Sequence, residues 1–298
     1  MSPEALILVL ISACLHAGWN LIGKQQSPSQ AFFVISTFFG VLLLSPWLWL
    51  NPVALPDWKH PFWLWLIFSG FFQAIYLTGL ARAYKSGDLS VSYPLARALP
   101  VVLVPLCYSL SEQGSQISSG HFPAVILIVA GALLLPLNRL RDWHWRAYLQ
   151  PSILFVLLAA VGTTGYSLVD AHGINILQKD AGMNPYQAGA SYVLLQGMTC
   201  LLWLAPWAMF YQEERRQAFR LIQAPKWMIW AGLFIMLTYL MILASFALVD
   251  EASFVVAFRQ ISIVLGVIAG VVLLKEQLSR LRVVSVSLIF FGVVLISL

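Results

Sequence analysis

The chain has 298 residues, 60% of them hydrophobic, and only 17 Lys or Arg and 12 Asp or Glu carry formal charge. A charged fraction of 10%, against roughly a quarter in an ordinary soluble domain, excludes a water-facing globular surface and with it a soluble enzyme. The net charge of +5 needs an explanation other than nucleic acid, because the basic residues sit in short gaps between apolar runs.

About 20 apolar residues of helix cross the hydrocarbon core, so long charge-free windows predict transmembrane helices. Span 1 lies in window 5–23, span 2 in 25–56 and span 3 in 60–81; span 4, in 89–111, holds the single charge Arg97. Span 5 occupies 113–138. Span 6 follows in 147–169, span 7 in 181–212 and span 8 in 227–249; span 9, in 252–274, holds only Arg259, and span 10 closes the chain in 283–298. Runs such as 101–106 and 264–274 are apolar all round, which excludes the alternating pattern of a membrane β-barrel. Glu4 leads directly into a full-length run, so span 1 is expected to be retained and not cleaved as a signal. Ten spans leave only about eight residues per connection, too few for a soluble domain. Cys14, Cys107 and Cys200 are scattered over three spans without CxxC spacing, so neither a disulfide framework nor a metal site is expected, and no cofactor.

Numbering the loops alternately puts Lys24, Arg82, Lys85, Arg139, Arg141, Arg146, Arg215, Arg216, Arg220, Lys226, Lys275, Arg280 and Arg282 on one face and only Lys59 and Lys179 on the other. That asymmetry predicts that the basic loops are cytoplasmic and that both termini lie on the non-cytoplasmic side of a cell (inner) membrane.

The two halves echo each other. Gly18-Trp19-Asn20-Leu21 matches Gly165-Tyr166-Ser167-Leu168, Ser27-Pro28 matches Asn184-Pro185, and Pro46-Trp47 matches Pro206-Trp207. Arg97 matches Arg259, and Glu112-Gln113 matches Glu276-Gln277. The offsets drift in one direction, from 147 through 157, 160 and 162 to 164. The reading is two five-span units, 1–138 and 147–298, joined by a cytoplasmic connector at 139–146. Five is odd, so the second copy is inverted, the arrangement of alternating-access transporters with a midplane site. The segment His16-Ala17-Gly18-Trp19-Asn20 before Lys24, the polar proline-bearing span 4 from Ser90 to Arg97, and the two five-span repeats resemble EamA-type transporters of the drug/metabolite transporter superfamily. The resemblance covers essentially the whole chain. It implies an all-α basket of ten transmembrane helices in two inverted repeats, with a cavity lined by spans 1, 3, 4, 6, 8 and 9, and cargo ranging from amino acids to sugars, nucleotides and drugs.

Arg97 and Arg259 stand seven or eight residues inside their windows, roughly 11 to 13 Å deep, entering from opposite faces. An intramembrane charge usually faces a cavity or a partner, and the guanidinium fork suits a carboxylate or phosphate. A structural arginine bonding carbonyls exposed near Pro94 and Pro100 is the competing reading. His16, mid-span and eight residues before Lys24, is the candidate for proton coupling, against a plain interhelical hydrogen bond. In the related small multidrug resistance family that place holds a proton-exchanging carboxylate, so carboxylate-driven antiport of cationic drugs is not expected. Trp19 is assigned to a cavity wall. Asn20, Tyr76, Tyr93, Thr163, Tyr166, Tyr239 and Gln260 complete the candidate binding or gating set, with Gln73 and Gln196 as further mid-span polar groups. Asp170 falls at the outer end of span 6, near water, as a gate candidate at most.

The leading expectation is a secondary transporter, an exporter of a small amino-acid-like or other zwitterionic or anionic metabolite. Its partners would be that solute, the bilayer and, through His16, protons. A multidrug or cationic-compound exporter with an aromatic cavity is the alternative. A membrane-embedded enzyme or sensor ranks last, because no GxSG, HExxH, P-loop or intramembrane acidic pair occurs.

Overall fold

A computed structural model describes residues 3–26, 28–51, 55–109, 122–143, 148–246 and 261–296. Among them the chain is all helical: α1 (Pro3–Gln25), α2 (Gln30–Leu44), α3 (Pro46–Leu50), α4 (Phe62–Ser86), α5 (Leu89–Ser109), α6 (Phe122–Leu134), α7 (Pro151–Lys179), α8 (Pro185–Phe210), α9 (Gln212–Gln223), α10 (Lys226–Phe246), α11 (Ile261–Leu273) and α12 (Arg280–Ile296), with one short 3-10 turn at Leu140–Asp142.

Local chemistry sets the helix ends. Proline occupies a first-turn position of α3, α7 and α8, where its missing N–H costs nothing. Asn184 and Gln187 form a reciprocal capping box at the start of α8. Other orphan backbone groups are met from distant parts of the chain. Glu276 takes the N–H groups of Leu89 and Ser90 at the start of α5, at 2.7 and 2.8 Å. Ser29 and Glu214 take those of Phe32 and Ala31 at the start of α2. Lys24 donates to the carbonyls of Tyr84 and Gly87 at the end of α4, so the basic residue that follows the span-1 motif acts as a helix cap. Past the end of α11, Lys275 has φ 57°, the left-handed conformation that favours glycine. Lys275→Gly is therefore expected to raise stability by about 0.5–1 kcal/mol in a thermal melt of the purified protein.

The exterior is apolar. Leu154, Leu157, Leu158 and Val161 of α7, at i, i+3, i+4 and i+7, are all exposed, as are Ile7, Leu10 and Ile11 of α1. Five helices are long and apolar enough to cross a membrane: Pro3–Gln25, Gln30–Leu48, Phe62–Ser86, Pro151–Lys179 and Tyr186–Phe210. Lys226–Ile242 passes the same length test only when joined to Gln212–Gln223, from which it is bent by 97°. The chain is thus an α-helical protein with several membrane-spanning helices. The sequence predicts ten. Leu89–Val104, Phe122–Leu134 and Ile261–Leu273 are apolar but shorter than a full crossing, and α12 has 17 residues. Parts of spans 5 and 9, at 113–121 and 252–260, lie outside the described residues.

Helix packing comes in matched sets. α1 packs on α10 and α7 on α4; α2 packs on α10 and α8 on α4; α5 packs on α7 and α11 on α1; α6 pairs with α12, and α2 with α8. Glycines set the closest approaches. Gly18 faces the Phe234 ring and Gly165 the Phe72 ring. Gly232 lies on the backbone of Ser36 and Gly40, and Gly70 on that of Thr199 and Cys200. Gly131 lies on Ser285 and Gly292 on Ala124. Gly266 and Gly270 of α11 likewise serve packing inside the chain, against Tyr93 and the Glu276 carboxylate.

Candidate functional site: a polar cavity between the helices

Inside this apolar shell, six helices enclose a cavity of about 80 Å³. Its polar wall is His16 and Trp19 from α1, Thr37 from α2, Gln73 and Tyr76 from α4, Tyr166 and Asp170 from α7, Gln196 from α8, and Thr238 and Tyr239 from α10. The Tyr76 and Tyr166 rings meet edge to face at 5.7 Å.

Asp170 organises one side. Its Oδ1 accepts from the hydroxyls of Ser69 and Tyr192, the latter at 2.9 Å, and its Oδ2 accepts from Gln196 Nε2 at 2.7 Å. Gln196 Nε2 also donates to Ser69 Oγ at 2.7 Å, so α4, α7 and α8 close around one carboxylate that is only 5% exposed. All three donors are neutral, and the ion pairs among the described residues, His60 with Asp180 and Arg282 with Asp88, lie elsewhere. A carboxylate held in low dielectric by neutral donors alone is a site for a cation or a proton.

His16 organises the other side. Its Nδ1 lies 2.9 Å from Tyr93 Oη, and its ring is tilted against Trp19 at 5.1 Å. Asn20 donates to the His16 carbonyl at 2.7 Å and accepts from the Tyr84 hydroxyl. Asn20 and Tyr93 thus stand behind His16, orienting the imidazole, and are not themselves in the wall.

Several expected positions fall elsewhere. Arg97 is half-buried on α5, outside the cavity wall, and its Nε and Nη2 have no hydrogen-bond partner among the described residues. Thr163 Oγ1 is buried without such a partner and is likewise off the wall. Arg259 and Gln260 lie outside the described residues. Among the described residues the wall comes from predicted spans 1, 2, 3, 6, 7 and 8. Span 4 enters only through Tyr93 behind His16.

The largest correction concerns Asp170. The window reading ended span 6 at 169, because the charge itself closed the window. Helix α7 continues to Lys179, which puts Asp170 about 13 Å from its end and away from water. Ser69 and Tyr192, which complete the cage, are not among the expected positions; an uninterrupted helical pattern from 151 to 179 is the signal that exposes Asp170, and nothing in the sequence pattern singles out the other two.

No group of three or more His, Cys, Asp or Glu arranged to hold a metal occurs among the described residues. No protein-family model and no curated protein matches the chain. A solved structure described as "Crystal structure of protein" is similar, with a TM-score of 0.53 at 15% identity over 99% of this chain and 96% of that one. Identity that low shows likeness of fold alone.

Proposed function

We propose that the chain is a secondary transporter of the EamA type, an exporter of a small amine-bearing metabolite that works by alternating access across the cell membrane. One observation carries this reading: contacts between the halves recur with the partners exchanged. Gly18 and Gly165, offset by 147, face Phe234 and Phe72, offset by 162. Gly70 and Gly232 repeat that at an offset of 162, and Gly131 and Gly292 at 161. Units 1–138 and 147–298 related by a two-fold axis in the membrane would produce such exchanged pairs, and a site near the midplane would then be reached from either face in turn. The positive-inside count supports an orientation with both termini on the non-cytoplasmic side.

Asp170 narrows the cargo. A buried carboxylate in one wall with Trp19, Tyr76 and Tyr166 suits an ammonium group, through charge and the cation–π attraction that aromatic rings offer. Thr37 Oγ1 and Gln73 Oε1, wall atoms without a partner among the described residues, remain for the polar rest of an amino-acid-like molecule. The purely anionic part of the expectation rested on the two arginines, and Arg97 is not in the wall. The same carboxylate and aromatic rings favour a second reading, a cationic-compound exporter. A cavity of about 80 Å³ is well below the roughly 300 Å³ of a drug-sized site, so larger cargo requires the helices to part.

The test is a thermal-shift screen of purified protein against amino acids, organic acids, sugar phosphates and cationic dyes at about pH 5.5 and about pH 8. Stabilisation by amine-bearing compounds, weaker at the lower pH, is expected if His16 or Asp170 exchanges a proton against them. Stabilisation by organic acids or sugar phosphates alone would overturn the cargo assignment.

A further inference from the structure

Helix α9 belongs neither to the cavity nor to any predicted span. It turns 97° away from α10, so it runs across the bundle where the neighbouring helices run along it. Its twelve residues divide into three faces. Glu214 and Ala218, four apart, are buried against α2 and α8. Phe219 and Ile222, three apart, are 73% and 57% exposed, and Phe210, just before α9, is 80% exposed. Arg216 and Arg220, four apart, are exposed on the third face together with Glu213, while Arg215, on the same side as Phe219 and Ile222, turns back to the Met209 carbonyl at 2.9 Å. One protein face, one exposed apolar face whose arginine folds back on the chain, and one charged face with two arginines against one glutamate, on a helix lying across the spans, is the partition of a segment seated at a membrane surface. Water on Phe219 and Ile222 would be costly, and acyl chains below with anionic headgroups beside the arginines remove that cost.

We propose that α9 is an in-plane anchor that binds anionic phospholipid in the leaflet it faces and transmits that seating to the cavity. The mechanical link is Glu214, whose Oε2 holds the Ala31 N–H at the start of α2 at 2.9 Å, while Thr37 two turns further along α2 lines the cavity. This proposal is independent of what the cavity carries.

The test compares the full-length protein in nanodiscs of phosphatidylcholine with nanodiscs containing phosphatidylglycerol. The anionic lipid is expected to raise Tm by about 4 °C, and high salt to reverse the gain. Arg216→Gln with Arg220→Gln should remove at least half of the gain, while Lys85→Gln with Arg280→Gln, exposed positions on α4 and α12, should leave it intact. Equal losses in the two variants would reduce the effect to general surface charge and overturn the proposal. A spin label at Phe219→Cys, in a background with Cys14, Cys107 and Cys200 replaced, should be reached by oxygen in preference to a soluble nickel chelate. The opposite preference, or shielding from both by a second copy or another protein, would equally overturn it.

Discussion

Asp170→Asn is expected to lower transport of an amine-bearing cargo in proteoliposomes about 100-fold while leaving Tm nearly unchanged. The asparagine keeps an acceptor oxygen for Ser69 and Tyr192, and the Gln196 amide, which holds the other carboxylate oxygen, can present its own carbonyl to the new NH₂ group. What disappears is the charge. A charge-assisted hydrogen bond in a low-dielectric site contributes about 1.5–3 kcal/mol, and each 1.4 kcal/mol is a factor of ten. Asp170→Leu should behave differently. It leaves the buried Ser69 and Tyr192 hydroxyls without their acceptor, at about 1–3 kcal/mol each, and Gln196 with only Ser69 Oγ, and should be visible as lost stability before transport is measured. Undiminished flux through Asp170→Asn would mean that the carboxylate only ties α4, α7 and α8 together.

The second large effect is expected at the glycine crossings. A Cβ on Gly232 falls inside contact distance of the Ser36 carbonyl oxygen, and one on Gly70 falls 2.5 Å from the carbonyl carbon of Thr199. Both meet backbone, which cannot rotate aside, so even alanine forces two helices apart. Gly232→Ala and Gly70→Ala should each cost about 3 kcal/mol or more, a fall in Tm of roughly 10 °C. The proposed two-unit repeat makes the two positions equivalent and therefore predicts losses of similar size. Gly182 serves as the control: its surroundings are open and only its φ of 65° is strained, so Gly182→Ala should cost about 1 kcal/mol. A neutral Gly232→Ala would show that α2 and α10 are packed more loosely than their crossing requires.

How far the sequence could be read depended on what each residue does physically. Apolar windows located the helices because burial in lipid demands a continuous apolar run, and each predicted span contains a helix among the described residues. Trp19, His16, Tyr76, Tyr166 and Tyr239 were legible as mid-span aromatic and polar groups, and they do gather at one cavity. Asp170 was lost because a charge was treated as the edge of a span, although buried donors on α4 and α8 make it an interior group. Glu276, Glu214 and Lys24 were not legible as caps, since each closes the end of a helix distant in the chain. Helix α9 hid in a segment that reads as a basic loop; only the spacing of Glu214, Ala218 and Leu221 marks its protein-facing side.

Native Cys200 offers the most direct test of alternating access, because it lines the cavity and is buried. With Cys14 and Cys107 replaced by serine, a membrane-impermeant thiosulfonate applied to right-side-out vesicles and, separately, to inverted vesicles should label Cys200 from both faces. Bound amine-bearing cargo should slow labelling from each. Labelling from one face only, in every condition, would contradict a site that opens to the two sides in turn.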